Sequence, residues 1–184
     1  MSGDFEFEDE YSATIDDDLS GPEEVFGQAG GALATDTIAV LSPAEPICLP
    51  DAATVHEAVQ IMLAQRQAGV LVTDAAGRLV GIFTERDVLT RVVGKDLDAR
   101  RTPLSAVMTR NPEALTARDR VAYAVHCMSV AGYRTIPLVD PEGRPIGIVT
   151  VSDVVRWLAN LFPEAVLNLR PGDAIKRPQD VDAG

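Results

Sequence analysis

An internal repeat spans most of this sequence. The octapeptide at 81–88, GIFTERDV, returns 66 residues later, at 147–154, as GIVTVSDV. Between 74–88 and 140–154, eight of the fifteen paired residues are identical. Agreement of this length at one constant offset indicates a tandem duplication. The fold must therefore accommodate two copies of a single supersecondary unit.

Each copy predicts the same order of elements, a β-α-β-β-α unit. Apolar residues at helical spacing, such as Val55, Ala58 and Met62, predict a helix with a buried face. Two apolar runs joined by a glycine-containing turn then predict a β-hairpin, whose second strand leads into a helix. Because one unit has too little core alone, we expect an α+β fold in which two pseudo-symmetric units pack as one module about a pseudo-twofold axis.

The repeat divides the chain into four parts. We predict an acidic disordered tail over residues 1–35, a first unit over 36–100, a second unit over 101–161 and a C-terminal tail over 162–184. Asp36 and Thr102 are N-cap candidates for a short helix that opens each unit, and Pro103 suits the first helical position.

The charge of the chain is concentrated near its N-terminus. Residues 1–65 contain no Lys or Arg but 14 of the 28 acidic residues, whereas residues 66–184 carry 16 basic and 14 acidic residues. This distribution disfavours nucleic-acid binding, which needs a basic surface. No apolar run is long enough to span a bilayer, and no basic segment precedes one as in a secretory signal. Cys48 and Cys127 are predicted to be small buried hydrophobic residues, with a disulfide between them as the alternative, and we expect a cytoplasmic protein.

In both copies a Thr is followed three residues later by an Asp. These pairs are Thr84 with Asp87 and Thr150 with Asp153. If a helix starts at the Thr, the hydroxyl and the carboxylate face the same way at its first turn. The spacing has two interpretations: it is that of a capping box, which needs no ligand, or it presents a polar pair to a ligand.

The order of elements, ending in Gly-h-h-Thr-x-x-Asp (h, apolar) before a final helix, resembles the CBS domain. Two such units in tandem resemble the CBS pair, or Bateman module, over about residues 36–161. The resemblance implies a regulatory module that binds AMP, ADP, ATP or S-adenosylmethionine in clefts between the two halves. It implies that Asp87 and Asp153 accept from the ribose hydroxyls, which suits an ionised carboxylate, and that Thr84 and Thr150 contact ribose or phosphate.

Further site residues follow from the same resemblance. Four of them match family positions near the base, although they could equally be core residues: Gly69, Ile82, Thr135 and Ile148. For the phosphate, the two copies differ in their cations, because Arg86 corresponds to Ser152 and Arg134 to Ala68. Arg86 and Arg134 are therefore candidate phosphate ligands; the alternative is that both are solvated surface charges.

Enzyme signatures are absent from the sequence. It has no Walker loop, nucleophile elbow or dinucleotide fingerprint, and His56 and His126 lack partners at metal-ligand spacing. We expect no enzyme, no metal and no cofactor, but a homodimeric sensor of an adenine nucleotide that acts in trans on a target protein. The alternative is a ligand-free interaction scaffold that uses its acidic N-terminal tail to bind a basic partner.

Overall fold

The structure is a computed structural model that describes residues 22–162. Its helices are α1 (Pro22–Thr35), α2 (Val55–Gln65), α3 (Glu85–Asp87), α4 (Leu104–Val107), α5 (Val121–Val130) and α6 (Val151–Leu161). Its strands are β1 (Cys48–Pro50), β2 (Gly69–Thr73), β3 (Leu79–Thr84), β4 (Thr109–Arg110), β5 (Thr135–Val139) and β6 (Pro145–Thr150). A 3-10 turn, Ile38–Leu41, precedes β1, and α3 continues as a π-helix, Val88–Val92, and a 3-10 turn, Val93–Lys95.

The strands form two sheets. The larger has the order β1-β2-β3-β4, in which β4 comes from the second half of the chain; β1 is parallel to β2 and the other pairs are antiparallel. In the second half β5 and β6 form an antiparallel pair. The first strand of the second predicted β-α-β-β-α unit is reduced to an isolated parallel bridge between Leu115 and Leu138. The predicted α+β architecture with two related units is confirmed.

The turns of the two hairpins account for several of the identities between the copies. Asp74 Oδ1 accepts hydrogen bonds from the backbone N–H groups two and four residues later, both at 2.9 Å. Asp140 Oδ1 does the same at 3.0 and 2.7 Å. Gly77 and Gly143 have φ angles of +77° and +78°, which glycine adopts without strain. The repeated Asp and Gly are therefore explained by turn geometry.

Each half places its opening segment in the core of the other half. Leu104 and Val107 of α4 belong to the hydrophobic core formed by α2, β2 and β3. Reciprocally, Ile38 and Leu41 of the 3-10 turn belong to the core formed by α5, β5 and β6. The predicted boundary at residue 100 divides the sequence, but neither part of the sequence completes its own core in space.

A third, smaller cluster joins the two halves directly. Leu71 of β2 and Ile82 of β3 are buried against Ile148 of β6, with Leu79 packed beside them. In addition, Ile148 N donates to Ala44 O at 3.1 Å, so the segment before β1 lies along the edge of β6. Because burial of apolar side chains is the main favourable contribution to packing, this cluster holds the halves together as one module.

The predicted disorder over residues 1–35 is wrong for α1, because Pro22–Thr35 is helical. Ala32 and Leu33 of α1 pack against the core of the second half, and Arg120 Nη1 donates to Ala34 O. This apolar contact and the tertiary hydrogen bond supply what an isolated short helix lacks. Residues 1–21 of the predicted tail, and residues 163–184, lie outside the described part of the chain.

The predicted N-caps of the opening segments are also wrong. Helix α4 has Pro103 itself at its N-cap, with φ −75° and ψ 154°, and begins one residue later. The hydroxyl of Thr102 instead donates to Asp98 O at 2.8 Å. Asp36 precedes the N-cap Thr37, and its carboxylate accepts a hydrogen bond from Trp157 Nε1 at 2.9 Å. Asp36 therefore makes a long-range contact with Trp157 in place of the predicted N-cap.

The two cysteines are both free. Cys48 is exposed at the start of β1, so its predicted burial is wrong, whereas Cys127 is half-buried against the core of the second half. Strand β1 lies at the edge of its sheet and alternates exposed and half-buried residues. The apolar character of this run therefore does not imply full burial.

Candidate functional site

The first candidate junction lies where β3 ends and α3 begins. Thr84 is paired across the sheet with Gly69. Thr84 N and Thr84 Oγ1 donate to Asp87 Oδ2 at 2.9 and 2.8 Å, which closes a capping box at the first helical turn. Asp87 is only 6% exposed. A built Cβ at Gly69 would lie 3.0 Å from Phe83 O, so the absence of a side chain allows close strand pairing.

The second candidate junction, between β6 and α6, repeats this arrangement. Thr150 is paired with Thr135, the counterpart of Gly69. Thr150 N and Thr150 Oγ1 donate to Asp153 Oδ2 at 2.8 and 2.7 Å. Asp153 N returns a hydrogen bond of 3.3 Å to Thr150 Oγ1. The structure therefore contains the capping interaction in both copies, and each cap uses one of the two carboxylate oxygens.

The other carboxylate oxygen contacts an arginine in each copy. Asp87 Oδ1 lies 3.2 Å from Arg91 Nε, and Asp153 Oδ1 lies 3.1 Å from Arg156 Nη1. Neither arginine was among the predicted site residues. The signal was present, because residues three or four positions apart on a helix are neighbours and opposite charges at that spacing attract.

The two predicted phosphate ligands, Arg86 and Arg134, are exposed and lie at different junctions. Arg86 is in α3, next to Asp87 in sequence. Arg134 precedes β5, and its carbonyl oxygen accepts from Val151 N at 3.1 Å, which places its backbone at the start of α6. Within residues 22–162 neither guanidinium forms a salt bridge, so each is available to an anion.

Ile82 and Ile148, predicted near the base, are buried in the cluster that joins the halves. In this structure they act as core residues, which was the alternative interpretation. Gln67, which the sequence analysis also passed over, lies two residues before Gly69. Its Nε2 donates to Glu45 O at 3.0 Å, while its Oε1 is buried without a hydrogen-bond partner in the described chain. An unsatisfied buried acceptor of this kind is uncommon.

A third Thr-acid pair shows that the spacing alone does not define a ligand site. Thr54 N and Oγ1 donate to Glu57 Oε2 at 2.7 and 2.9 Å, at the start of α2. The backbone and side-chain hydrogen bonds from Thr54 lower the pKa of Glu57. A shallow depression of about 430 Å³ beside this cap includes none of the ten predicted site residues in its lining.

Two further findings concern the described residues only. Between residues 22 and 162 no group of three or more His, Cys, Asp or Glu side chains is arranged to hold a metal ion. In the same stretch, none of the helices has the length and apolar character that crossing a membrane requires.

Comparison with known proteins identifies two matching segments. The CBS domain family matches residues 39–94 and 104–160. The CBS domain-containing protein CBSCBSPB5 of Arabidopsis thaliana is 31% identical over 139 residues, which cover 76% of this chain and 25% of that protein. The chain therefore corresponds to about a quarter of the length of this curated relative.

Solved structures with the same fold include two that contain adenosine compounds. The CBS domain pair of protein MJ0100, in complex with 5′-methylthioadenosine and S-adenosyl-L-methionine, aligns with a TM-score of 0.60 at 24% identity, over 66% of this chain and 98% of that one. CBSX2 in complex with AMP aligns with a TM-score of 0.58 at 21% identity, over 68% and 97%. At these identities the likeness establishes the fold.

Proposed function

The chain belongs to the CBS domain family, and on this basis we propose that it is a regulatory module that senses an adenosine-containing ligand. The observation that carries the proposal is the repeated Thr-x-x-Asp pair, which lies at the first turn of a helix in both halves. The ligands of two proteins with the same fold, S-adenosylmethionine and AMP, support the class of compound. ADP and ATP share the same adenosine group.

The residues of each junction suit the parts of such a ligand. A vicinal ribose diol offers two O–H donors, and a carboxylate oxygen that is not used in the cap can accept them. Asp87 and Asp153 are the candidate acceptors, and at least one of them would accept hydrogen bonds from the ribose diol. Thr84 and Thr150 would contact ribose or phosphate, and Arg86 or Arg134 would pair with the phosphate. The base would lie near Gly69, Thr135, Ile82 and Ile148. Because Ile82 and Ile148 are buried in the cluster that joins the halves, that cluster would have to shift to expose them to the base.

The signal would pass to a target protein in trans, from a cytoplasmic homodimer. A ligand changes an equilibrium only by binding one packing of the module more tightly than another. Two exposed apolar residues at equivalent positions of the repeat, Leu89 and Val155, are 65% and 57% exposed and offer a surface for a second copy. A partner could then recognise the packing that the ligand favours.

Thermal unfolding of the whole chain with AMP, ADP, ATP and S-adenosylmethionine tests the proposal. Binding to the folded state alone adds RT ln(1 + [L]/Kd), about 2.7 kcal/mol at a hundredfold excess over Kd. We expect a higher melting temperature with at least one of these compounds. The matched control is the 2′,3′-dideoxy analogue of the compound that binds, which keeps the base and phosphate but lacks the diol, and should give a much smaller shift.

The second candidate function is a ligand-free scaffold, favoured by the hydrogen bonds from Thr to Asp that both Thr-x-x-Asp pairs make without a ligand. In that case its acidic N-terminal tail would bind a basic partner. No shift with any of the four compounds would favour the scaffold. Equal shifts with AMP and its dideoxy analogue would contradict the diol contact while keeping nucleotide binding.

A further inference from the structure

At the first junction, the carboxylate oxygen that the cap does not use is paired with an arginine that makes two contacts. Arg91 Nε lies 3.2 Å from Asp87 Oδ1, and Arg91 Nη1 donates to Val107 O in α4 at 2.9 Å. The Asp87 side chain is 9% exposed and that of Arg91 is 38% exposed, so the carboxylate is shielded from water but part of the guanidinium is not. A ribose hydroxyl could reach Asp87 only by displacing a cation from a buried carboxylate, which is strongly unfavourable.

The second junction lacks this attachment. Asp153 Oδ1 pairs with Arg156 Nη1 at 3.1 Å, but the Arg156 side chain is 67% exposed. Asp153 itself is only 14% exposed, but its arginine lies mostly in solvent, so a hydroxyl can replace Arg156 at less cost than it can replace Arg91. The position equivalent to Arg91 is Trp157, whose indole N–H donates to Asp36. No cation from that position can compete for Asp153.

The backbone and the nearby cations of the two junctions also differ in a way that favours ligand binding at the second one. Helix α6 is regular over its 11 residues, whereas α3 has three and then continues as a π-helix that contains Arg91. Arg134, an unpaired cation in the described chain, lies at the start of α6, and Ala68 takes its place at the first junction. Arg86 supplies a cation beside Asp87, but Asp87 Oδ1 is paired with the anchored Arg91, whereas Asp153 Oδ1 is paired with the exposed Arg156.

We infer that the module has a single competent adenosine site per chain, at the second junction, with Asp153 as the acceptor for the ribose diol. Thr150 and Arg134 belong to that site. Asp87 is a structural residue that, through Arg91, ties the first half to α4. This inference rests on the proposed function, and it assigns ligand binding to one of the two Thr-x-x-Asp pairs.

Calorimetric titration of the whole chain with AMP, ATP and S-adenosylmethionine tests the assignment. For whichever compound binds, we expect one ligand per chain. Asp153→Asn, which keeps the shape but removes the charge, should weaken binding by about tenfold or more. Asp87→Asn should weaken binding less than Asp153→Asn does. The matched control is Glu142→Gln, which removes a charge from the exposed turn between β5 and β6 and should bind with a Kd within about threefold of the wild type.

Melting temperatures without ligand provide an independent readout of the structural role. Asp87→Asn should lower the melting temperature by about 5 °C or more, and Asp153→Asn by less. If Asp87→Asn fails to fold, Arg91→Lys takes its place, since a single ammonium replaces the forked guanidinium. It should also lower the melting temperature while leaving one ligand bound per chain.

The outcomes separate this inference from the function on which it rests. Two ligands per chain, or binding lost in Asp87→Asn and kept in Asp153→Asn, would overturn the inference and leave the function standing. No binding by the wild type would overturn the proposed function and the site assignment with it. Equal melting temperatures for folded Asp87→Asn and Asp153→Asn would overturn the structural role of Asp87.

Discussion

Trp157 has a different role from its counterpart in the repeat. Where the first copy has Arg91, the second has the sole tryptophan of the chain, 8% exposed in the core of its half. Its indole Nε1 donates to Asp36 Oδ2 at 2.9 Å, across 121 residues of sequence. This bond fastens the start of the first repeat to the last helix.

We expect Trp157→Phe to lower the free energy of unfolding by about 1.5–3 kcal/mol, because a hydrogen bond to a charged acceptor is lost and some packing with it. Urea unfolding followed by circular dichroism measures this loss. In an Asp36→Ala background the same substitution should cost less, since the bond is already absent. Equal losses in the two backgrounds would show that packing alone accounts for the effect.

Sequence reasoning succeeded at the residue scale where the partners are close in the chain. The Thr84–Asp87 and Thr150–Asp153 contacts follow from a spacing of three residues, which fixes the geometry once a helix begins. The role of Asp36 could not be predicted, because its partner is set by tertiary packing. Whether the second oxygen of each carboxylate pairs with an anchored arginine or with an exposed one depends on burial. The spacing of residues in the sequence carries no information on burial, so this difference could not be predicted.

At the scale of elements, the capping box of α2 makes stability depend on pH. Hydrogen bonds from Thr54 hold the pKa of Glu57 below its ordinary value of 4.5. A carboxylate whose pKa is lowered by folding stabilises the folded state above its unfolded pKa. It loses that contribution as the pH falls through the folded pKa.

Glu57→Ala should therefore lower the melting temperature at neutral pH, and its difference from the wild type should shrink below about pH 4. Melting curves at several pH values between neutral and about pH 3 measure this. The control is Glu142→Ala, an exposed glutamate in the turn between β5 and β6, which should melt like the wild type throughout. A difference for Glu57→Ala that stays constant on acidification would contradict the linkage.

The residues just after each opening segment pack on the sheet of the other half, and this contact explains another repeated glycine. A Cβ at Gly81 in β3 would collide with the Met108 side chain, which comes from the other half. At Gly147 in β6, a Cβ would lie 3.2 Å from Pro43 Cβ and 3.3 Å from Leu138 Cδ1. The glycine is repeated because each sheet is crossed at the same place.

Gly81→Ala should lower the free energy of unfolding by about 1–3 kcal/mol, because the Met108 thioether must shift within the packed core. The double variant Gly81→Ala/Met108→Ala should lose less than the sum of the two single variants, since the smaller side chain removes the collision. Urea unfolding measures all three. Gly30→Ala, with nothing within 4 Å of the added Cβ, is the control and should not be destabilised.

At the scale of the whole molecule, the proposed homodimer predicts a change in molecular mass. If Leu89 and Val155 face the second copy, Leu89→Asp/Val155→Asp should be a monomer by light scattering where the wild type is a dimer, because charges would replace apolar contacts. Val40→Asp, at a residue 49% exposed outside this surface, should remain a dimer. A monomeric wild type would contradict the homodimer, and a dimeric double variant would contradict the surface.

The β-α-β-β-α order was predicted because both copies gave the same pattern at the same spacing, although the first strand of the second copy is only a bridge. The reciprocal exchange of Ile38–Leu41 and α4 between the halves was not. Their apolar spacing indicates burial but does not say against which core, since both cores are apolar. Helix α1 was missed for a related reason: its order comes from contacts with α5 and α6, while its sequence follows an acidic stretch.

The exchanged opening segments also bear on how such a molecule could arise. A chain with one repeat would have an opening segment with no place in its own core. Two such chains could fill each other's cores only by trading these segments, as in a domain-swapped dimer. Fusion of the two genes would turn the trade into a contact within one chain and keep the copies in equal numbers. After that, the copies would be free to diverge, as Arg91 and Trp157 have done at one equivalent position.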